Sequence, residues 1–212
     1  MKIGISFRLF EKFLIKRRAQ VLSLFLGIMN PEPADTCLEI GGPTLHMSEI
    51  TNKFAEYIVI NMDIKYFSLY GSFYSGTYCP FVADGCHLPF SDKSVYFVFG
   101  NAVLEHVQRG QRQEFAREVK RVCRKGYFLA NDNHWFPYDP HYLVPCYQFL
   151  PHKLKKYISH YVSFKWMPKG AYEEINLLTI KEYRKLFPSA NYQGLRFPFS
   201  PIAESIIVWD KN

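Results

Sequence analysis

The 212-residue sequence is short of several things, and each shortage excludes a class of protein. Its five cysteines (Cys37, Cys79, Cys86, Cys123, Cys146) form no Cys-x-x-Cys pair and no even-numbered framework. A disulfide-stapled secreted scaffold is excluded, and free thiols in a reducing, cytoplasmic setting are expected. No apolar run reaches the roughly 18–20 residues that span a bilayer. Val21 to Met29 follows Lys16-Arg17-Arg18 in the manner of a secretory leader, but no small-residue cleavage site comes after it. There is no internal repeat and no low-complexity tract. With 48% apolar and 21% charged residues, collagen-like, coiled-coil and wholly disordered chains are excluded too. Acids are scarce at the start: Lys2, Arg8, Lys12, Lys16, Arg17 and Arg18 face Glu11 alone. The net charge of +7 therefore sits mostly at the N-terminus, and the body is nearly balanced. A nucleic-acid binder spreads a basic face over its fold, so no nucleic-acid partner is expected.

What is present is aromatic residue, 17% of the chain, enough to cover flat or greasy surfaces, its own or a ligand's. From Ser6 to Leu26, Phe7, Phe10, Leu14, Val21 and Phe25 recur at helical spacing, with Gly27 as the stop and Pro31 and Pro33 as a stiff linker. Two readings compete for this basic amphipathic segment, residues 1–30. It is a helix packed on the domain's edge with a solvated basic face, or one resting peripherally on an anionic membrane surface. The first is favoured.

Residues 31–212 read as one domain. Strand patterns at Thr36–Ile40, Tyr57–Met62, Tyr78–Ala83, Val95–Gly100 and Tyr127–Asn131 are separated by helical ones at Thr44–Glu56 and Gln111–Arg124. That alternation predicts an α/β fold with a parallel sheet covered on both faces. Asn133 to about Tyr172 breaks the rhythm and reads as a lid or substrate insertion, with a helix near Tyr147–Tyr161. A helix at Thr179–Phe187 and strands at Asn191–Phe197 and Glu204–Trp209 close the chain.

Ligands of open parallel sheets bind at the carboxyl ends of the strands. Those ends carry Glu39, Gly41 and Gly42, then Asp63, then Asp84 and Gly85, then Asn101. Any one of them is explained as a turn former or cap. Together they favour a ligand rich in hydroxyls and amino groups.

On these residues the sequence resembles the class I S-adenosylmethionine-dependent methyltransferases, specifically the small-molecule type 11 group. The matching stretches are Cys-Leu-Glu-Ile-Gly-Gly (37–42), Val-Ile-Asn-Met-Asp (59–63) and Val-Ala-Asp-Gly-Cys-His-Leu-Pro-Phe-Ser-Asp-Lys-Ser-Val (82–95). Val-Phe-Gly-Asn-Ala-Val-Leu-Glu-His-Val (98–107) and Arg-Glu-Val-Lys-Arg-Val (117–122) follow in order. The resemblance implies a Rossmann-like, seven-stranded, mostly parallel sheet with helices on both faces and the last strand antiparallel. It also implies S-adenosylmethionine as cofactor. Glu39, Gly41 and Gly42 would serve its methionine half, Asp63 its ribose hydroxyls, and Asp84, Gly85 and Cys86 its adenine. Asn101 would line the cleft beside the sulfonium. One departure stands out: Pro43 and Leu45 occupy loop positions where the family has glycine. Either the following helix starts a step early, or the cofactor site is weakened. The second case would make the chain a non-catalytic binding relative.

Methyl transfer needs alignment with an acceptor O, N or C, exclusion of water and, for a hydroxyl, a base. His141, two residues after Asp139, is the candidate base, with His134 and His106 as weaker alternatives. A loop histidine bonded to backbone is the competing reading of His141, and His106 is expected to pack at the start of a helix. Trp135, Phe136, Tyr138 and Tyr142 either stack on a flat or saccharide-like acceptor or form a satellite core. The Asp/Asn-Pro-Pro-Tyr/Phe motif of base-directed amino methyltransferases is missing after strand four. The expected acceptor is thus a small molecule, glycan- and lipid-linked compounds included. No His/Cys/Asp cluster shows metal-ligand spacing, so no metal is expected. There is no Gly-x-Ser-x-Gly elbow for a covalent nucleophile and no ordered Gly-x-Gly-x-x-Gly for a nicotinamide enzyme.

Overall fold

A strand covered on both faces must be apolar at successive positions rather than at alternate ones, and the short runs of this chain meet that requirement. The computed structural model describes residues 5–42, 48–65, 67, 78–137, 139, 141–142, 144–161, 172, 174–196 and 200–211, with side chains from Lys16 onward apart from those of 48 and 49. The strands are β1 (Thr36–Ile40), β2 (Glu56–Asn61), β3 (Cys79–Val82), β4 (Val95–Asn101), β5 (Cys123–Asp132), β6 (Asn191–Arg196) and β7 (Ala203–Lys211). They form one seven-stranded sheet in the order β3-β2-β1-β4-β5-β7-β6. β1 pairs in parallel with β2 and β4, β2 pairs in parallel with β3, and β7 is antiparallel. Cys37 to Ile40 and Tyr57 to Ile60 are buried without a break. The α-helices are α1 (Ile5–Met29), α2 (Ser48–Thr51), α3 (Arg112–Val122), α4 (His152–Tyr161) and α5 (Ile180–Leu186). The expected α/β class and seven-stranded sheet are what the structure has.

The chain divides into two compact units. The first comprises residues 1–101, 114–129 and 209–212, and the second 102–113 and 130–208. In the first, α1 buries Arg17, Val21, Phe25 and Met29, four residues apart and hence on one helix face. The Phe25 ring lies 4.8 Å from that of Phe99 and 5.5 Å from that of Phe128. Burying such a side chain stabilises by about 1.5–3 kcal/mol, so this half of α1 is a packed helix. Gly27 does not end it. The helix runs to Met29 and stops where Asn30 turns left-handed (φ 46°) and its N–H bonds the Leu26 carbonyl at 2.8 Å. The helix expected over Thr44–Glu56 is confined, among the described residues, to Ser48–Thr51. Positions 52–55 form turns, and Pro43 and Leu45 lie outside the described residues.

In the second unit, Thr179 and Glu182 form a reciprocal capping box that starts α5. The expected helix at Tyr147–Tyr161 splits into a 3₁₀ turn (Tyr147–Phe149) and α4, because Pro151 cannot continue a helix from the preceding turn. Tyr142 stacks on Tyr147 with centroids 4.2 Å apart. With Ile175 and Leu177 they make a buried satellite core, closed by Val144, Leu150 and Ile158.

Candidate functional site

Register places the strand-end groups of the first unit along one edge. Ile40 is level with Ile60 and with Gly100, and Asn61 is level with Val82. The residues that follow these positions (Gly41, Asp63, Asp84, Asn101) therefore emerge on the same side of the sheet. Gly41 is left-handed (φ 74°) and exposed, a conformation that glycine adopts without a steric penalty. At Gly42 it is space that requires glycine. A Cβ there would stand 2.6 Å from the Glu39 carboxyl carbon and 2.7 Å from Val59 Cγ1. Glu39 is wholly buried beneath this turn, accepting from the Tyr57 hydroxyl at 3.3 Å, and so shapes the turn from below. Asn61 donates to the Gly42 carbonyl at 2.7 Å and its own carbonyl oxygen accepts from Asp63 N–H at 3.3 Å. One amide thus ties the end of β1 to the end of β2. Sequence reasoning passed over Asn61, although it lies inside the Val-Ile-Asn-Met-Asp stretch.

Asp63 is half-buried and accepts from Lys65 N–H at 2.9 Å. Asp84 accepts from Cys86 N–H at 2.8 Å, and this bond holds its carboxyl below the usual carboxylate range. The Cys86 thiol is pushed up to about 11, by burial first and by the Asp84 charge second. At Gly85 an added Cβ would meet Phe115 at 2.9 Å and Ile40 at 3.1 Å, so this backbone lies flat against the core of its unit. Asn101 ends β4 half-buried, and Ala102 behind it is left-handed (φ 56°), a strained conformation for a residue with a Cβ. These are the features an adenosyl ligand needs: a turn that backbone alone can approach, and acids at adjoining strand ends.

The second unit holds a separate group of titratable side chains. His141 is mostly buried, and its backbone N–H and that of Tyr142 bond Asp139 Oδ1 at 2.9 and 3.1 Å. Its ring Nδ1 stands 3.7 Å from the same oxygen, beyond hydrogen-bond length. Burial disfavours the charged ring, but Asp139, Asp132 and Glu105 outweigh it and raise His141 to about 9. Asp132 is pushed up to about 7 by burial and by the neighbouring Glu105 charge. His141 thus carries its proton at neutral pH in this environment, where a poised base would not. His106 is exposed and sits in a turn, its N–H bonded to Val103 O, rather than starting a helix. His134 packs against the exposed Trp135 and the Phe149 ring instead, and burial lowers it. Tyr142 belongs to the satellite core; Tyr138 lies outside the described residues. Sequence spacing showed no ligand cluster. The fold assembles one from Glu105, His106 and His141, whose ligand atoms all lie within 4.8 Å of one another.

Sheet order defines the class of fold: a Rossmann-like methyltransferase fold. Residues 38–130, somewhat less than half of the chain, match the family model of the methyltransferase domain. No curated protein sequence matches the chain. Solved structures of the same fold include the PH0226 protein of Pyrococcus horikoshii, with TM-score 0.64, 11% identity, and 93% of this chain and 90% of that one covered. An S-adenosylmethionine-dependent methyltransferase from Clostridium acetobutylicum gives 0.61 at 9% identity over 92% and 91%. The N-methyltransferase NodS of Bradyrhizobium japonicum gives 0.57 at 11% over 95% and 97%.

Proposed function

We propose that this chain binds S-adenosylmethionine in its first unit and transfers the methyl group to a small-molecule acceptor. The observation that carries this reading is the aligned edge of Gly41, Gly42, Asp63, Asp84 and Asn101, within the stretch that matches the methyltransferase domain. When bound, the cofactor supplies a methyl group activated by its sulfonium. Gly41, exposed and without a side chain, lets the cofactor's methionine end approach the backbone, and Gly42 seats that turn on the buried Glu39 and Val59. Asp63 accepts from ribose hydroxyls, Asp84 from the adenine amino group, and the Gly85–Cys86 backbone meets the ring edge. Asn101 faces the reacting end.

No part in the transfer is assigned to His141, whose charged ring is favoured by Asp139, Asp132 and Glu105. The acceptor class is a small molecule, glycan- and lipid-linked compounds included, and the location is cytoplasmic. Among the described residues no helix is long and apolar enough to cross a membrane. The described face of α1 is used in packing, which supports a packed helix over a membrane-resting one.

Calorimetric titration with S-adenosylmethionine and its demethylated product tests the reading, with Asp63→Ala and Asp84→Ala alongside. Micromolar binding, weakened at least tenfold in both variants, is the expected result. A folded wild type that binds neither compound would overturn the enzyme reading in favour of a non-catalytic relative.

A further inference from the structure

We propose that Glu105, His106 and His141 form a binding site for a divalent transition-metal ion of the zinc type. The three residues come from two loops of the second unit, after β4 and after β5, and each offers one ligand atom. Those atoms lie within 4.8 Å of one another. Metal–nitrogen and metal–oxygen bonds of about 2.0–2.2 Å hold ligand atoms at most roughly 4.4 Å apart, so the trio needs only a rotamer-scale adjustment to close on an ion.

The carboxylate is the second, independent observation. Glu105 has no exposed surface, and neither of its oxygens has a hydrogen-bond partner among the described residues. A buried carboxylate is costly unless paired or coordinated, and the His141 and Arg112 charges near this one make no hydrogen bond to it. Among the described residues His141 Nδ1 is likewise buried without a hydrogen-bond partner, and Asp139 Oδ1 accepts from two backbone N–H groups. His106 lies edge-on to His141, with centroids 5.3 Å apart, and its exposure gives the ion a way in from solvent.

The loop is also held still before any ion arrives. Leu104 N–H bonds Asn131 Oδ1 at 3.2 Å, Asn176 N–H bonds the Glu105 carbonyl at 3.0 Å, and His106 N–H bonds Val103 O at 3.0 Å. Two imidazoles and one carboxylate select borderline ions such as zinc, cobalt or nickel over magnesium and calcium, which take oxygen ligands. The site does not depend on the methyltransferase reading, and cofactor binding is measured separately from ion binding.

The test starts from the full chain treated with chelator and dialysed. Cobalt(II) is titrated in as a spectroscopic probe, zinc is followed by calorimetry, and magnesium serves as the contrast. The expected result is one cobalt ion per chain with visible ligand-field bands, displaced by zinc and unaffected by millimolar magnesium. His106→Ala, an exposed change that leaves the core untouched, should weaken zinc binding at least tenfold. Glu105→Gln should do the same while circular dichroism shows the chain folded. A folded wild type without cobalt bands, or one whose zinc affinity is unchanged by His106→Ala, would overturn the proposal.

Discussion

Replacing Gly42 by alanine is the most direct probe of the glycine turn, because the clash it creates is defined atom by atom. The new Cβ would lie 2.6 Å from Glu39 Cδ, 2.8 Å from Glu39 Oε1 and 2.7 Å from Val59 Cγ1. All three are closer than real Cβ contacts, and Glu39 has no free space to retreat into because it is wholly buried beneath the turn. Overpacking of this kind costs about 1–3 kcal/mol. In a chain of this length each kcal/mol lowers the melting temperature by about 2–4 °C, so a fall of roughly 4–10 °C is expected by calorimetry. The same displacement moves the turn that the cofactor's approach depends on, and S-adenosylmethionine affinity should fall more than tenfold. Adding Glu39→Ala removes two of the three close contacts. The cost of Gly42→Ala should then shrink by about 1 kcal/mol in a double-mutant cycle. Gly27→Ala is the control: nothing lies within 4 Å of a Cβ there, and a helical alanine gains up to about 1 kcal/mol over glycine. Equal melting temperatures for the wild type and Gly42→Ala, with unchanged cofactor affinity, would refute the reasoning.

Other outcomes follow from the same structure. Gly126→Ala should destabilise by about 3 kcal/mol, read by urea unfolding, because its Cβ would overlap the Asp210 carbonyl oxygen and crowd Lys211 Cα at 3.1 Å, both backbone atoms. Tyr147→Ala should cost about 3–5 kcal/mol by opening the satellite core, whereas Trp135→Ala, on an exposed ring, should stay within about 0.5 kcal/mol. If Trp135 stacks on the acceptor, its loss raises KM while the melting temperature stays put. Glu118 is held below the usual carboxylate range by its hydrogen bonds from Arg121, with Leu88 N–H adding to them. A depressed carboxyl stabilises the fold above its unfolded value and loses that contribution as pH falls through its folded one. Unfolding measured from pH 6 down to pH 3 should therefore show an acid-side loss in the wild type that Glu118→Gln flattens.

Several elements could be read without coordinates because a strand buried on both faces leaves an apolar run bounded by turn residues. β1 spans Thr36–Ile40 as expected, β4 starts at Val95, and α5 (Ile180–Leu186) falls within the helix expected over Thr179–Phe187. The acids and glycines at the strand ends were legible for the same reason, since they interrupt those runs at fixed places. The end of α1 was not, because a left-handed Asn30 is a backbone choice that Gly27 seemed better suited to make. Nor was the part played by Tyr142, where an aromatic residue reads alike whether it stacks on a ligand or on Tyr147. The Glu105, His106 and His141 group was out of reach altogether. Its members come from loops 35 residues apart in the chain, and nothing in their local spacing signals that they meet. Local pattern, set by which faces a segment buries, determined the class of fold and the edge that carries the strand-end acids and glycines. Only the packing of distant loops decided which carboxylates surround a histidine, and so what charge it carries.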